Sequence, residues 1–129
     1  MLKGMLDSLK TDAVGVNFDP ANLVMITGED ILKGVCLLEG KIFHTHAKDG
    51  KQLKEIDPSV LYHHFADGKT DLNAADYFTE APLGEGSVGF PSYLKALEQA
   101  GYHGFLTIEG SDGPQAIEQS ISFLKEMIK

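Results

Sequence analysis

Three stretches of alternating side chains, each followed by a helix-period pattern, constrain this chain more than any other feature. Residues 13–19 carry Val14, Val16 and Phe18 on one face and Gly15, Asn17 and Asp19 on the other. Residues 41–47 set Phe43, Thr45 and Ala47 against Ile42, His44 and His46, with Lys48 continuing the second set. Residues 104–109 set Leu106 and Ile108 against Phe105, Thr107 and Glu109. A period of two marks a strand. Strands separated by helices imply a parallel sheet with right-handed crossovers, so the expected fold class is α/β. Helices should cover the Val14/Val16/Phe18, Phe43/Thr45/Ala47 and Leu106/Ile108 faces.

The helical patterns fall between and around these strands. Leu2, Met5, Leu6 and Leu9 give an amphipathic helix over residues 1–10. Thr27, with Asp30 three residues on, suits the start of a helix over 28–38, with Ile31, Leu32, Val35 and Leu38 as its buried stripe and Gly40 as its exit. Pro91 fits the first turn of a helix over 91–100, and Gly101 fits the position just beyond its end. Asp112 and Pro114 open a last helix with the stripe Ile117, Ile121, Leu124 and Ile128. Between Asp49 and a glycine-flanked turn at 83–86, no period is legible. Residues 50–82 read as a long functional loop, with a short helical turn around 58–64. His63 and His64 are loop residues in this reading, and His103 sits solvated in a Gly-Tyr-His-Gly turn.

A length of 129 residues with 43% hydrophobic content fits one domain over residues 1–129 with a real core. No apolar run approaches the roughly 20 residues that span a bilayer. Lys3 and Asp7 break the apolar residues at the N-terminus, unlike a signal peptide, so a cytoplasmic protein is expected. Cys36, the only cysteine, is expected as a buried small hydrophobe. Eleven basic residues against nineteen acidic ones give a net charge of −8, and arginine is absent. That balance speaks against nucleic acid as a partner, since phosphate-backbone binding needs a basic patch.

The polar strand faces carry the functional signal. In parallel α/β sheets, sites form at the carboxyl ends of strands. Asp19 and Glu109 end their strands, and His46 lies near the end of the second. Two carboxylates and an imidazole converging there suit a divalent metal such as Mn²⁺, Mg²⁺, Co²⁺ or Zn²⁺, with the oxygen-rich set leaning towards Mn²⁺ or Mg²⁺. Taken singly, each has a plainer reading: a strand-end carboxylate as a helix cap, a strand histidine as a satisfied core residue. Their coincidence at one end of consecutive strands favours the metal.

These residues lie in motifs that resemble a known family. Val-Gly-Val-Asn-Phe-Asp-Pro-Ala-Asn-Leu (14–23), His-Thr-His-Ala-Lys-Asp (44–49), Leu-Gly-Glu-Gly (83–86) and Gly-Phe-Leu-Thr-Ile-Glu (104–109) are similar to segments of xylose isomerase-like TIM barrels, in particular sugar (phosphate) isomerases and epimerases. The resemblance covers roughly residues 1–128. It implies a metal held by Glu, Asp, His and Glu from the last four barrel strands, with Asp19, His46 and Glu109 matching the last three. It also implies that Asn22 stands beside the metal or substrate, that Lys48 lies at the pocket rim, and that Glu109 is one of two glutamates flanking a metal-bound enediolate.

A TIM barrel needs eight strands and typically about 250 residues. The resemblance therefore implies a partial (β/α)8 barrel, about three parallel βα units equivalent to the last three, beginning within the helix before the sixth strand. The fifth-strand glutamate has no counterpart in the chain. Moving a proton next to a carbonyl needs a base, an electrophile and an acid, so the chain is not expected to catalyse alone. The open strand edges invite a homo-oligomer or a companion N-terminal half. The leading expectation is the C-terminal part of a metal-dependent sugar (phosphate) isomerase or epimerase. Its competitor is a non-catalytic α/β module that works through self-association or a partner chain. A DNA-repair endonuclease on the same fold is disfavoured by Phe-Thr-Glu-Ala-Pro at 78–82, where that family carries Asp-x-His, and by the acidic balance.

Overall fold

The three alternating segments pair as parallel strands, as their helix-separated order requires. The computed structural model describes residues 2–68, 71–110 and 113–128. In chain order its elements are α1 (Leu2–Ser8), β1 (Val16–Phe18), α2 (Pro20–Asn22) running into a π turn (Leu23–Thr27), α3 (Ile31–Leu37), β2 (Ile42–Ala47), β3 (Asp49–Gln52), α4 (Pro58–Asp67), a 3-10 turn (Ala74–Asp76), β4 (Phe78–Ala81), α5 (Phe90–Gln99), β5 (Leu106–Ile108) and α6 (Gly113–Met127). The parallel sheet has the order β1-β2-β5, so the histidine strand is central. Asn17 pairs with His44 and Phe18 with Thr45 on one side, while His46 pairs with Thr107 and Ala47 with Ile108 on the other.

The register slips between Val16 and Asn17, which pair with Ile42 and His44 and leave Phe43 as an extra residue on β2. A bulge of this kind resets the alternation. Ile42 is consequently buried, and Phe43 is exposed and lies over Gly15, the reverse of the expected facing. Beyond the bulge the expected pattern holds: Thr45 and Ala47 are buried under the helices, and His44 and His46 stay on the open side. Val14 lies outside β1 and is exposed, so only Val16 and Phe18 of its expected face meet the core.

The buried side of the sheet is closed by α3 and α5. Thr45 Oγ1 donates to Phe18 O at 2.6 Å, and the Tyr93 hydroxyl of α5 hydrogen-bonds to Thr45 Oγ1. Because the single Thr45 proton goes to Phe18 O, Tyr93 is the donor of that pair. The Tyr93 ring packs against Phe18 and Phe90, with centroids 6.0 and 6.1 Å apart. α5 ends as expected: Gly101 adopts φ 71°, Tyr102 N donates to Leu97 O and Gly101 N to Glu98 O, which satisfies the last carbonyls of the helix.

Several expectations are corrected. Asp30, not Thr27, caps α3: its Oδ1 accepts from Leu32 N and Lys33 N, while Thr27 closes the π turn through Leu23 O. A carboxylate one residue before the first helical turn reaches its free N–H groups, which Thr27 is too far upstream to do. Leu32 is exposed, as is Cys36, which lies on the outer face of α3 rather than in the core. The supposed loop 50–82 holds the antiparallel ribbon β3–β4 and the ten-residue helix α4, whose Asp57 cap accepts from Ser59 N. His63 and His64 therefore lie on a helix; His103 is exposed, as expected. Of the α1 stripe only Leu6 is buried, and of the α6 stripe only Leu124. Asp112, the expected start of α6, lies outside the described residues.

Candidate metal centre

The strand ends bring three donor groups together. Asp19 follows β1, His46 is the fifth residue of β2, and Glu109 follows β5, with its backbone N–H donating to Ala47 O. His46 Nδ1 lies 2.6 Å from Glu109 Oε2 and 3.3 Å from Asp19 Oδ2. One donor atom from each of Asp19, His46 and Glu109 lies within 4.8 Å of the others, the one such trio of potential ligands among the described residues. Asp19 also serves the plainer role, since its Oδ1 accepts from Asn22 N at 3.0 Å and caps α2. The two oxygens divide the work: one starts the helix and the other faces the imidazole.

Lys48 closes the cluster on the β5 side. Its ammonium lies 3.1 Å from Glu109 Oε1 and 3.1 Å from Glu80 Oε1, and its side chain is only 12% exposed. Burial works against the charge, but hydrogen bonds to Glu109 and Glu80, and the charges behind them, outweigh it and hold Lys48 above the ordinary lysine range. Glu109 is thus gripped at both oxygens, by His46 and by Lys48. Three carboxylates against one ammonium leave two uncompensated negative charges, which one divalent cation would balance. Ligands bonded at about 2.0–2.2 Å lie up to about 4.4 Å apart, so shifts of a few tenths of an ångström bring the trio onto one ion. The donor set fits a metal.

The sheet continues this polar face inward. Asn17 Nδ2 lies 3.1 Å from His46 Nε2, and Thr107 Oγ1 lies 2.8 Å from His44 Nε2. Below the rim, Asp49 is 2% exposed and accepts from four backbone N–H groups, those of Gly50, Gly84, Gly86 and Val88, at 2.9–3.1 Å. The glycine turn is therefore folded around a buried carboxylate, and a Cβ on Gly86 would run into Asp49 Oδ1. Asn22 is exposed beside the cluster on the first turn after Asp19.

The expected Asp19, His46 and Glu109 come together, with Lys48 bound to Glu109. His63 and His103 appear in none of these contacts. Sequence reasoning missed Asn17, Glu80 and the role of Asp49. Asn17 had a signal, the shared face with Asp19; Glu80 had none, because nothing local announces the ribbon that carries it.

The model of the xylose isomerase-like TIM barrel family matches residues 1–127. The chain belongs to the xylose isomerase-like TIM-barrel family. It is 31% identical over 113 residues to the rhizopine catabolism protein MocC of Rhizobium meliloti, a stretch covering 84% of this chain and 31% of that protein. Its fold matches the crystal structure of a xylose isomerase domain protein from Planctomyces limnophilus at a TM-score of 0.72 and 24% identity, covering 98% of this chain and 40% of that one. This member of the xylose isomerase-like family thus spans between about a third and two-fifths of the length of those two relatives. Its three parallel βα units correspond to a fragment of the TIM barrel.

Proposed function

We propose that the chain is the C-terminal part of a metal-dependent sugar or sugar-phosphate isomerase or epimerase, folded as a single partial-barrel domain over residues 1–129. The observation that carries this reading is the convergence of Asp19 Oδ2, His46 Nδ1 and Glu109 Oε2 at the carboxyl ends of three adjacent parallel strands. Asp19, His46 and Glu109 are the metal ligands in this reading, with Mn²⁺ or Mg²⁺ the natural occupant and Zn²⁺ or Co²⁺ alternatives. A bound metal would polarise the substrate carbonyl and so ease loss of the adjacent proton. Glu109 is the group that takes or returns that proton, and Lys48 holds its carboxylate in place. Asn22, at the exposed mouth, and the remaining N–H of Lys48 contact substrate hydroxyls.

Proton transfer on two faces needs a second acid or base, and we assign it to barrel strands other than these three. The isolated chain is therefore inactive, and a companion half or further copies complete the pocket. The exposed apolar residues Ile117, Ile121 and Ile128 of the α6 stripe, with Phe105 83% exposed beside β5, support association. They also keep the second reading in play, a non-catalytic module that works by association. A cytoplasmic setting, without nucleic acid or membrane, goes with both; no helix among the described residues is long and apolar enough to cross a membrane.

Calorimetric titration of the chain with Mn²⁺ tests the site. Binding is expected, with open coordination positions leaving it weaker than in a four-ligand centre. His46→Ala should abolish it and His63→Ala should not. Unchanged binding in His46→Ala would put the site elsewhere, and no binding at millimolar Mn²⁺ would sink the metal reading.

A further inference from the structure

We propose that the substrate of this site is an uncharged polyhydroxy aldehyde or ketone and not its phosphate ester, because Asp49 and Glu80 already occupy the groups that would bind a phosphate. This rests on the sugar reading above and chooses between its two substrate classes.

In that reading β2 and β5 are the seventh and eighth strands of the barrel, and the loops after those two are where TIM barrels frequently hold a substrate phosphate. The loop after β2 contains the part such a site is made from, a glycine turn with converging backbone N–H groups. Gly84 N, Gly86 N and Val88 N converge there with Gly50 N, and all four donate to the Asp49 carboxylate at 2.9–3.1 Å. Asp49 is 2% exposed, so the cradle is closed around an anion of the chain's own and leaves a phosphate none of these four donors. After β5, Pro114 stands in the first turn of α6 and supplies no N–H to an anion there.

The neighbouring ammonium is committed as well. Lys48 Nζ lies 3.1 Å from both Glu80 Oε1 and Glu109 Oε1, so reaching for a phosphate would break one of these pairs. The chain has no arginine, the side chain that grips a phosphate at two points. With a divalent ion on Asp19, His46 and Glu109, the charges of the ion and of Lys48 cancel the three carboxylates. A pocket of zero net charge does not draw a dianion, and the partly exposed Glu80 carboxylate repels one. Hydroxyl groups, by contrast, find partners here. They can donate to the carboxylate oxygens, and along the open face they meet the Asn17 amide and the Thr107 hydroxyl, which hydrogen-bond without formal charge.

Amide ¹H–¹⁵N spectra of the labelled full chain, loaded with Mg²⁺, test this by titration with fructose, fructose 6-phosphate and inorganic phosphate. Both sugars should move the amides of Asp19, Asn22, His46 and Glu109, the ester binding no more than about threefold tighter than fructose. Inorganic phosphate should leave the amides of Gly84, Gly86 and Val88 in place. Glu80→Gln frees Lys48 from one carboxylate and should tighten the ester about tenfold relative to fructose. Three results would each overturn this proposal alone: an ester that binds the natural chain more than about threefold tighter than fructose, saturable shifts of the glycine-turn amides by inorganic phosphate, or an unchanged affinity ratio in Glu80→Gln. If neither sugar moves the strand-end amides, the sugar reading falls and this proposal falls with it.

Discussion

Replacing Asp49 by Asn removes little volume and should nevertheless be among the most damaging changes in the molecule. Oδ1 accepts from Gly50 N and Val88 N, and Oδ2 from Gly84 N and Gly86 N. An asparagine keeps one oxygen, so two of the four N–H groups would face an NH2 donor. Each buried donor left without a partner costs about 1–3 kcal/mol, and the bonds that survive lose the strength a charged acceptor gives them. Relief from burying a carboxylate offsets part of this. The expected net loss is roughly 3–4 kcal/mol, a large share of the about 5–15 kcal/mol that a domain has to spare. At about 3 °C per kcal/mol for this size, the melting temperature should fall by about 10 °C. Circular dichroism melts and urea titrations of the two chains measure it. A loss below about 1 kcal/mol would mean that the glycine turn does not depend on this carboxylate.

Tyr93→Phe removes the hydroxyl that donates to Thr45 and should cost about 1 kcal/mol in urea titrations at neutral pH. Burial pushes the Tyr93 phenol above the ordinary tyrosine range. Its contribution is thus complete below about pH 10 and is lost as pH rises towards the folded value, so the phenylalanine variant should show a shallower alkaline decline; an unchanged slope would refute the assignment. Lys48, also raised, adds to the same alkaline loss. Light scattering should find the natural chain larger than its 14.0 kDa monomer and Ile121→Glu shifted towards the monomer, with no drop in the melting temperature of the monomeric form. A natural chain that stays a compact monomer at micromolar concentration with cooperative unfolding would argue against association.

What the sequence determined by itself is the local alternation and its punctuation. Side chains on a strand must take opposite faces, so Asp19, His46 and Glu109 were already on the side away from Phe18, Thr45 and Ile108. Helices between strands already required a parallel sheet, which places all three at one end. Pro91 and Gly101 act within a single turn and were legible for the same reason. The tertiary structure decided whatever depends on a partner distant in the chain. The bulge at Phe43, which buries Ile42 and aligns Asn17 with the histidine strand, exists only in the pairing of β1 with β2. The ribbon that delivers Glu80 to Lys48 joins residues 49–52 to 78–81, two short segments whose burial shows no clean alternation. Cys36, Ile117 and Ile121 sit in apolar helical patterns yet face outward, because a period tells which residues share a face, and only the neighbouring element decides whether that face is covered.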